Sequence, residues 1–213
     1  MRCLAASILV IAKAPGAGRS KTRLCPPLTP AEAADVARAS LADTLCAVCR
    51  VPVRRRVLVL DGDPAGIVPP GVDLVPQAGG GLDERLAAAF DEVGGPGLLI
   101  GMDTPQVTPA LLESAVALLL GPGVDAVLGL AEDGGWWAIG LRTPDPALFL
   151  GVPMSTPVTG ARQRARLDQY GLRTCELPVL RDVDTIEDAY AVARLVPGSR
   201  FAAALRAARP AQE

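Results

Sequence analysis

The 213-residue chain contains no histidine. That absence excludes a Ser-His-Asp triad, a Cys-His pair, an H-E-x-x-H zinc site and any histidine general base. Lysine is almost as scarce: Lys13 and Lys21 are the only two among 21 basic residues, and the remainder are arginine. Long apolar runs are missing as well. The longest, residues 4–12 (broken only by Ser7) and 115–120, fall short of the roughly 18 to 20 residues that span a bilayer, so no membrane partner is expected. A net charge of -2 and a pI near 5.3 provide no broad positive surface, which argues against nucleic acid as a partner. The short arginine groups (Arg54 to Arg56; Arg162, Arg164, Arg166) read as solvated faces or strand ends.

The five cysteines are odd in number, and only Cys46 and Cys49 are paired by spacing. A zinc ribbon needs a second such pair. This one sits in a helical apolar pattern, so packing is the expected role, in a reducing, cytoplasmic protein. The apolar start leads into Lys13, Pro15 and a glycine loop rather than a cleavage site, which suits a first buried strand better than a signal peptide. A hydrophobic content of 50% with 21% charged residues fits one globular domain, expected over residues 1–205 with a loose tail at 206–213.

Hydrophobic patterning then sets the elements. Residues 5–12 form a near-continuous run rich in Ile, Val and Leu, as in a strand covered on both faces. Thr29-Pro30-Ala31-Glu32 makes a capping box with proline at the first helical position, opening a helix to about Cys49. Residues 57–60 read as a second strand. The Pro/Gly-rich stretch from there to Gly81 reads as a long irregular loop. Residues 82–93 are helical by spacing and 98–101 a strand. Thr108-Pro109 opens a helix that stops at Gly121-Pro122. Residues 126–130 and 136–141 flank an Asp133-Gly134-Gly135 turn. A helix at 158–170, a short strand at 174–177, a helix at 186–195 capped by Thr185 and a final helix after Pro197 complete the series. Alternation of this kind predicts an α/β domain with a mainly parallel sheet and helices on both faces. Ligands in such sheets bind beyond the carboxyl ends of the strands.

Three loops at those ends carry chemistry. The first holds Lys13, Pro15, Gly16, Gly18, Lys21, Thr22 and Arg23. Glycines let backbone approach an anion, and the cations suit phosphate oxygens. The loop is neither a Walker A sequence, since Ser20 precedes Lys21, nor a dinucleotide fingerprint, since Lys21 stands where a third glycine is needed. A passive basic turn is the alternative, but both lysines of an arginine-rich chain fall here. In the second and third loops, Asp103 follows a buried strand, and Asp182 and Asp184 precede a capped helix. Asp103 and Asp184 are candidate ligands for Mg2+ or Mn2+, although aspartates also cap and turn chains at such places. Asp133, Gly134, Gly135 and Trp136 form either a hairpin with core tryptophans or a surface that stacks on a ring. Ser155 and Thr156 either line a site or cap the next helix.

In order along the chain, these segments resemble a bacterial transferase family of the glycosyltransferase-A type, domain of unknown function family 2064, also called radical-SAM/selenodomain-associated transferase. The resemblance rests on Ala-Lys-x-Pro-x-x-Gly-x-x-Lys-Thr-Arg-Leu at 12–24, Gly-x-Asp-x-Pro at 101–105, and Asp-Gly-Gly followed by an aromatic at 133–136. It continues with Ser155-Thr156 and Asp-Val-Asp-Thr-x-Glu-Asp at 182–188. Trp136 replaces the usual tyrosine, Met154 the usual tryptophan, and Ala138 a larger apolar residue, all at positions that concern the acceptor or base.

The resemblance implies a single-domain, Rossmann-like nucleotide-diphospho-sugar transferase fold related to molybdopterin and phospholactate nucleotidyltransferases, with Asp103 and Asp184 matching metal-binding positions. The leading expectation is metal-dependent nucleotidyl transfer from a nucleoside triphosphate to a phosphorylated small molecule with release of pyrophosphate, chemistry that needs no histidine. Lys21, Arg23 and Asp103 would be catalytic. Glycosyl transfer from a nucleotide sugar, with Glu132 or Asp133 as base, is the rival enzyme reading, and a non-catalytic nucleotide-binding module the rival outside enzymes. The nucleotide, the acceptor and the oligomeric state stay open.

Overall fold

The computed structural model describes residues 3–208. Its sheet begins with β1 (Leu4–Lys13), whose central residues 6–10 are buried, as the unbroken apolar run requires. The next helix, α1 (Pro30–Cys49), starts where the capping box places it: Thr29 Oγ1 accepts from the Glu32 N–H at 3.3 Å, and Glu32 accepts from the Thr29 N–H at 2.8 Å. The chain then returns through β2 (Val53–Asp61), β3 (Asp73–Pro76), α2 (Leu82–Val93) and β4 (Gly97–Gly101). The second half adds α3 (Pro109–Leu120), β5 (Ala126–Ala131), β6 (Trp136–Leu141), α4 (Thr159–Gln169), β7 (Thr174–Leu180), α5 (Ile186–Leu195) and α6 (Arg200–Ala207).

The seven strands lie in the order β3-β2-β1-β4-β6-β5-β7. All neighbours pair in parallel except β6, which runs antiparallel to both β4 and β5. This is the α/β architecture the sequence predicts. One side of the sheet packs Ile8, Val10 and Leu98 against α1 and α3 through Leu41, Leu45, Leu112 and Leu119. The other packs Leu9, Val57 and Leu128 against α2 and α4 through Leu86, Phe90 and Leu167. A third cluster joins the start of α1 to α5 and α6 through Val36, Val192 and Phe201.

Two expectations need correction. The stretch to Gly81 is not wholly irregular: β3 pairs with β2 from Asp73 to Pro76. It is an edge strand with three of its four residues exposed, so it lacks the alternation that marks a half-buried strand. Strand β2 also starts four residues early and absorbs the arginine group. Arg54 and Arg56 donate to backbone carbonyls of Val93 and Val48, and Arg55 pairs with Asp73 at 2.9 Å, so the charged heads are satisfied while the backbone stays in the sheet. At the C-terminus α6 continues through Arg206 and Ala207, and the rest of the expected tail, residues 209–213, lies outside the described residues. No helix among the described residues is long and apolar enough to cross a membrane. All five cysteines are free thiols.

Candidate active site

A cleft of about 740 Å³ opens along the end of the sheet where the parallel strands finish. Strand order dictates what meets there. From β1 and β2 come Ala12, Lys13 and Asp61, from the β3 end Gln77, and from α2 Arg85. From the loops after β4, β5 and β7 come Asp103, Asp133, Asp182 and Asp184. Because β6 runs backwards, its first residue, Trp136, arrives at the same end. A smaller adjoining cavity of about 240 Å³ is lined by Lys13, Ser20, Lys21, Thr22, Arg23, Asp103 and Asp184.

The acidic loops are tied together by backbone and amide bonds. The Val183 N–H donates to the Asp103 carbonyl at 2.9 Å, and Gln106 Nε2 donates to the Arg181 carbonyl at 2.5 Å. Ser40 on α1 holds the same region from below by donating to the Met102 carbonyl at 2.7 Å. On the other flank the Glu132 N–H donates to the Leu180 carbonyl at 3.0 Å, and Arg181 closes on the Glu132 carboxylate at 2.6 Å. The result gathers Asp133, Asp182 and Asp184, each with a carboxylate oxygen within 4.8 Å of the others'. Burial, with repulsion from Asp133 and Asp184, pushes the Asp182 carboxyl up to about 6. Three crowded carboxylates, one of them resisting ionisation, make a donor set that a hard divalent cation relieves, so the residues present fit Mg2+ or Mn2+.

The expected metal pair is therefore rearranged. Asp103 and Asp184 do lie close, but Lys21 bridges them: its Nζ is 2.9 Å from Asp103 Oδ1 and 3.7 Å from Asp184 Oδ1, and it also donates to the Val183 carbonyl. The carboxylates that converge with Asp184 are Asp133, expected to face the acceptor, and Asp182, which had no assigned role. Asp182 was visible two residues before Asp184, but the sequence does not say that the loop folds so that both point the same way.

The basic loop is likewise divided. Lys13, Lys21, Thr22 and Arg23 line the cavities, whereas Pro15, Gly16 and Gly18 do not. The Gly16 N–H donates to Ser20 Oγ at 3.2 Å, and Ser20 Oγ donates to the Ala14 carbonyl at 3.3 Å, so this amide serves the turn and offers nothing to an anion. Gly18 supplies the positive φ of 71° that the turn needs. Arg23 pairs with Asp184 at 2.8 Å from a largely exposed position. Lys13 is exposed at the mouth of both cavities.

The hairpin separates its two tryptophans. Trp137 is core, 2% exposed, its Nε1 donating to the Pro178 carbonyl at 3.0 Å, while Trp136 lines the cleft beside Met154. Gly134 does not line the cleft. It has φ 89°, and a Cβ there would run into the Pro157 carbonyl, so its role is to seat the 153–159 segment. Ser155 and Thr156 line the cleft, and Thr156 Oγ1 also accepts from the Val158 N–H at 3.4 Å. Asp61, Gln77 and Arg85 escaped the sequence reading. Gln77 donates to the Ala12 carbonyl at 2.7 Å and accepts from Arg85 at 3.3 Å, and Arg85 lies 3.6 Å from Asp61. Only Asp61, at the end of a strand as Asp103 is, carried a signal.

A family profile described as "Uncharacterized protein conserved in bacteria (DUF2064)" matches residues 42–156, more than half of the chain. The chain is a DUF2064 protein. Among solved structures, this DUF2064 chain is similar to a protein of Desulfovibrio desulfuricans G20 that carries a provisional name as a nucleotide-diphospho-sugar transferase. The two are 27% identical over 95% of this chain and 94% of that one, with a TM-score of 0.86. CMP:2-keto-3-deoxy-manno-octonic acid synthetase, solved with CTP, matches 91% of this chain and 98% of its own at 14% identity and a TM-score of 0.60. Rv0371c of Mycobacterium tuberculosis H37Rv, solved with manganese, matches 89% and 99% at 23% identity and a TM-score of 0.53. At those lower identities the likeness is one of fold, and the fold is that of the nucleotide-diphospho-sugar transferases. No curated protein matches the chain.

Proposed function

We propose that this DUF2064 protein is a divalent-metal-dependent nucleotidyltransferase that takes a nucleoside triphosphate, transfers its nucleotidyl group to a small-molecule acceptor and releases pyrophosphate. The observation that carries the reading is the meeting, in one cleft, of three converging carboxylates and the basic residues of the first loop. The CTP complex of the similarly folded synthetase and the manganese complex of Rv0371c are in keeping with it.

Asp133, Asp182 and Asp184 would hold the cation, with Asp103 alongside. A divalent ion held there supplies charge neutralisation for the phosphate oxygens and the departing pyrophosphate. Lys13 and Arg23, exposed at the rim, meet the triphosphate first, and their charge draws the anion toward the carboxylates. Lys21 and Thr22 line the smaller cavity, where the Thr22 hydroxyl is free to meet a phosphate oxygen and Lys21 sets the charge of the carboxylates beside it. The walls fix donor and acceptor in one orientation, which removes most of the entropic barrier without a histidine base.

Glycosyl transfer from a nucleotide sugar is the second reading, favoured by the name of the Desulfovibrio protein. Of its two candidate bases, Glu132 is engaged by Arg181 and does not line the cleft, which leaves Asp133. Incubation with Mn2+, each of the four nucleoside triphosphates and a panel of sugars and sugar phosphates, following pyrophosphate, tests the proposal. Pyrophosphate release that depends on the acceptor supports it. Its absence, with nucleoside diphosphate released from a nucleotide sugar instead, replaces it with the second reading.

A further inference from the structure

Charge is partitioned along the cleft. The cations that line either cavity, Lys13, Lys21, Arg23 and Arg85, come from β1, the loop after it and α2, and Lys21 and Arg23 are turned to Asp103 and Asp184. The half built on β6, β5 and β7 presents the Asp133 and Asp182 carboxylates, the hydroxyls of Ser155, Thr156 and Thr159, the Trp136 ring and Met154, and no cation. The nearest arginine by position, Arg181, is held by Glu132 at 2.6 Å.

Helix N-termini are the other common phosphate binders, and at the two on this side part of the first-turn amides are taken up within the chain. At the start of α4 the Gly160 N–H donates to the Gly134 carbonyl at 2.8 Å. The Thr159 N–H donates to the Thr156 carbonyl at 3.0 Å, and the Val158 N–H to Thr156 Oγ1. At the start of α5 Asp188 and Thr185 form a complete capping box. Lys21 and Arg23 are already paired with Asp103 and Asp184, and the wall of Trp136, Ser155 and Thr156 has no cation of its own.

From this we infer that the acceptor is an uncharged, hydroxyl-bearing molecule, such as a sugar or polyol without a phosphate group, lying against Trp136, Ser155 and Thr156. The inference rests on the nucleotidyl reading above, and it departs from the sequence expectation of a phosphorylated acceptor. A phosphomonoester carries nearly two negative charges at neutral pH and would meet the Asp133 and Asp182 carboxylates with no arginine or lysine of this wall to offset them. A sugar or polyol instead matches hydroxyl and carboxylate acceptors with its own donors and lays its C–H face on the indole ring. In the transfer the acceptor hydroxyl oxygen bonds to the α-phosphorus, the bond from that phosphorus to the β-phosphate oxygen breaks, and the hydroxyl proton passes to a carboxylate of this wall.

The test uses full-length protein with Mn2+ and the nucleoside triphosphate that binds it. Uptake of that Mn2+–nucleotide complex is confirmed first by titration, and failure at this step overturns the nucleotidyl reading itself. Matched acceptors, free sugars and polyols against their monophosphates, are then compared as competitors by ligand-observed NMR and as substrates by mass detection of the nucleotidyl adduct. Preference for the unphosphorylated members by about tenfold or more, near 1.4 kcal/mol, is the expected result. Equal or better use of the phosphates overturns the acceptor class and leaves nucleotidyl transfer standing, and binding of neither set overturns it too. Thr156→Arg, which adds a cation to this wall, is expected to erase the preference; an unchanged preference with a folded variant counts against charge as its cause.

Discussion

The Lys21 side chain leaves a backbone with φ 52° and ψ 39° and reaches two carboxylates and a carbonyl from distant loops. Its side chain is 9% exposed, against 39% for Asp103, so it is far less hydrated than the carboxylate it pairs with. A cation in that position lowers the attraction of the site for a second one. Lys21→Met keeps the apolar stem and removes the charge. It is expected to tighten Mn2+ binding to the nucleotide-free protein by about tenfold, read by the loss of free-ion electron paramagnetic resonance signal. The same change frees the Val183 carbonyl and the Asp103 carboxylate, so the melting temperature should fall, at a cost of roughly 1–3 kcal/mol. Asp182→Asn is expected to act oppositely on the metal: Mn2+ affinity falls, and if it stays at the parent value Asp182 is no ligand. Lysine scarcity pointed from the sequence to this loop, and the fold sets its Lys21 ammonium between two carboxylates. The partner was not legible, since the contact spans 162 residues and depends on how two loops fold against each other.

Local signals carried most of the elements. The Thr29–Glu32 and Thr185–Asp188 boxes and the Thr108–Pro109 start each act within four residues, so the bounds of α1, α3 and α5 follow from short-range hydrogen bonds. Strand β3 was hidden because its pairing with β2 is long-range and its side chains stay wet. The hairpin between β5 and β6 was readable from its glycines, but the reason for Gly134 was not. With φ 89° and the Pro157 carbonyl against it, Gly134→Ala is expected to cost at least about 1–3 kcal/mol and to loosen the 153–159 segment, measurable as a drop in denaturation midpoint. At the opposite end of the sheet, Arg173 and Asp125 join the entries to β7 and β5 through bonds of 2.8 and 3.0 Å. The side-chain hydrogen bond from Arg173 holds the Asp125 carboxyl down to about 2 from an ordinary 3.8. A depressed carboxylate stabilises the fold above its unfolded value and loses that contribution as pH falls through its folded value. The melting-temperature gap between the parent and Asp125→Asn should therefore be full above pH 4 and close toward pH 2.

Across the whole molecule the chemistry follows chain position: the cations of the cleft come from β1, its loop and α2, and its carboxylates other than Asp61 from the loops after β4, β5 and β7. On the proposed reading a metal-bound nucleotide would touch both groups at once and so tie the two halves of the sheet together. Mn2+ and nucleotide added jointly are expected to raise the melting temperature by more than the sum of their separate effects, by mass action on a shared site. Additive shifts in a thermal melt would mean that the two bind independently. The reversed strand has a further consequence. In an all-parallel sheet each new strand needs a crossover, and altering a loop at the cleft disturbs a helix. Because β6 enters by a four-residue turn, the turn and the first residue of β6 form a cassette bounded by strands on both sides. On the proposed reading, a change at position 136 alone, with Asp133 and the rest of the metal and nucleotide site kept, would give the family a route to new acceptors from one donor site.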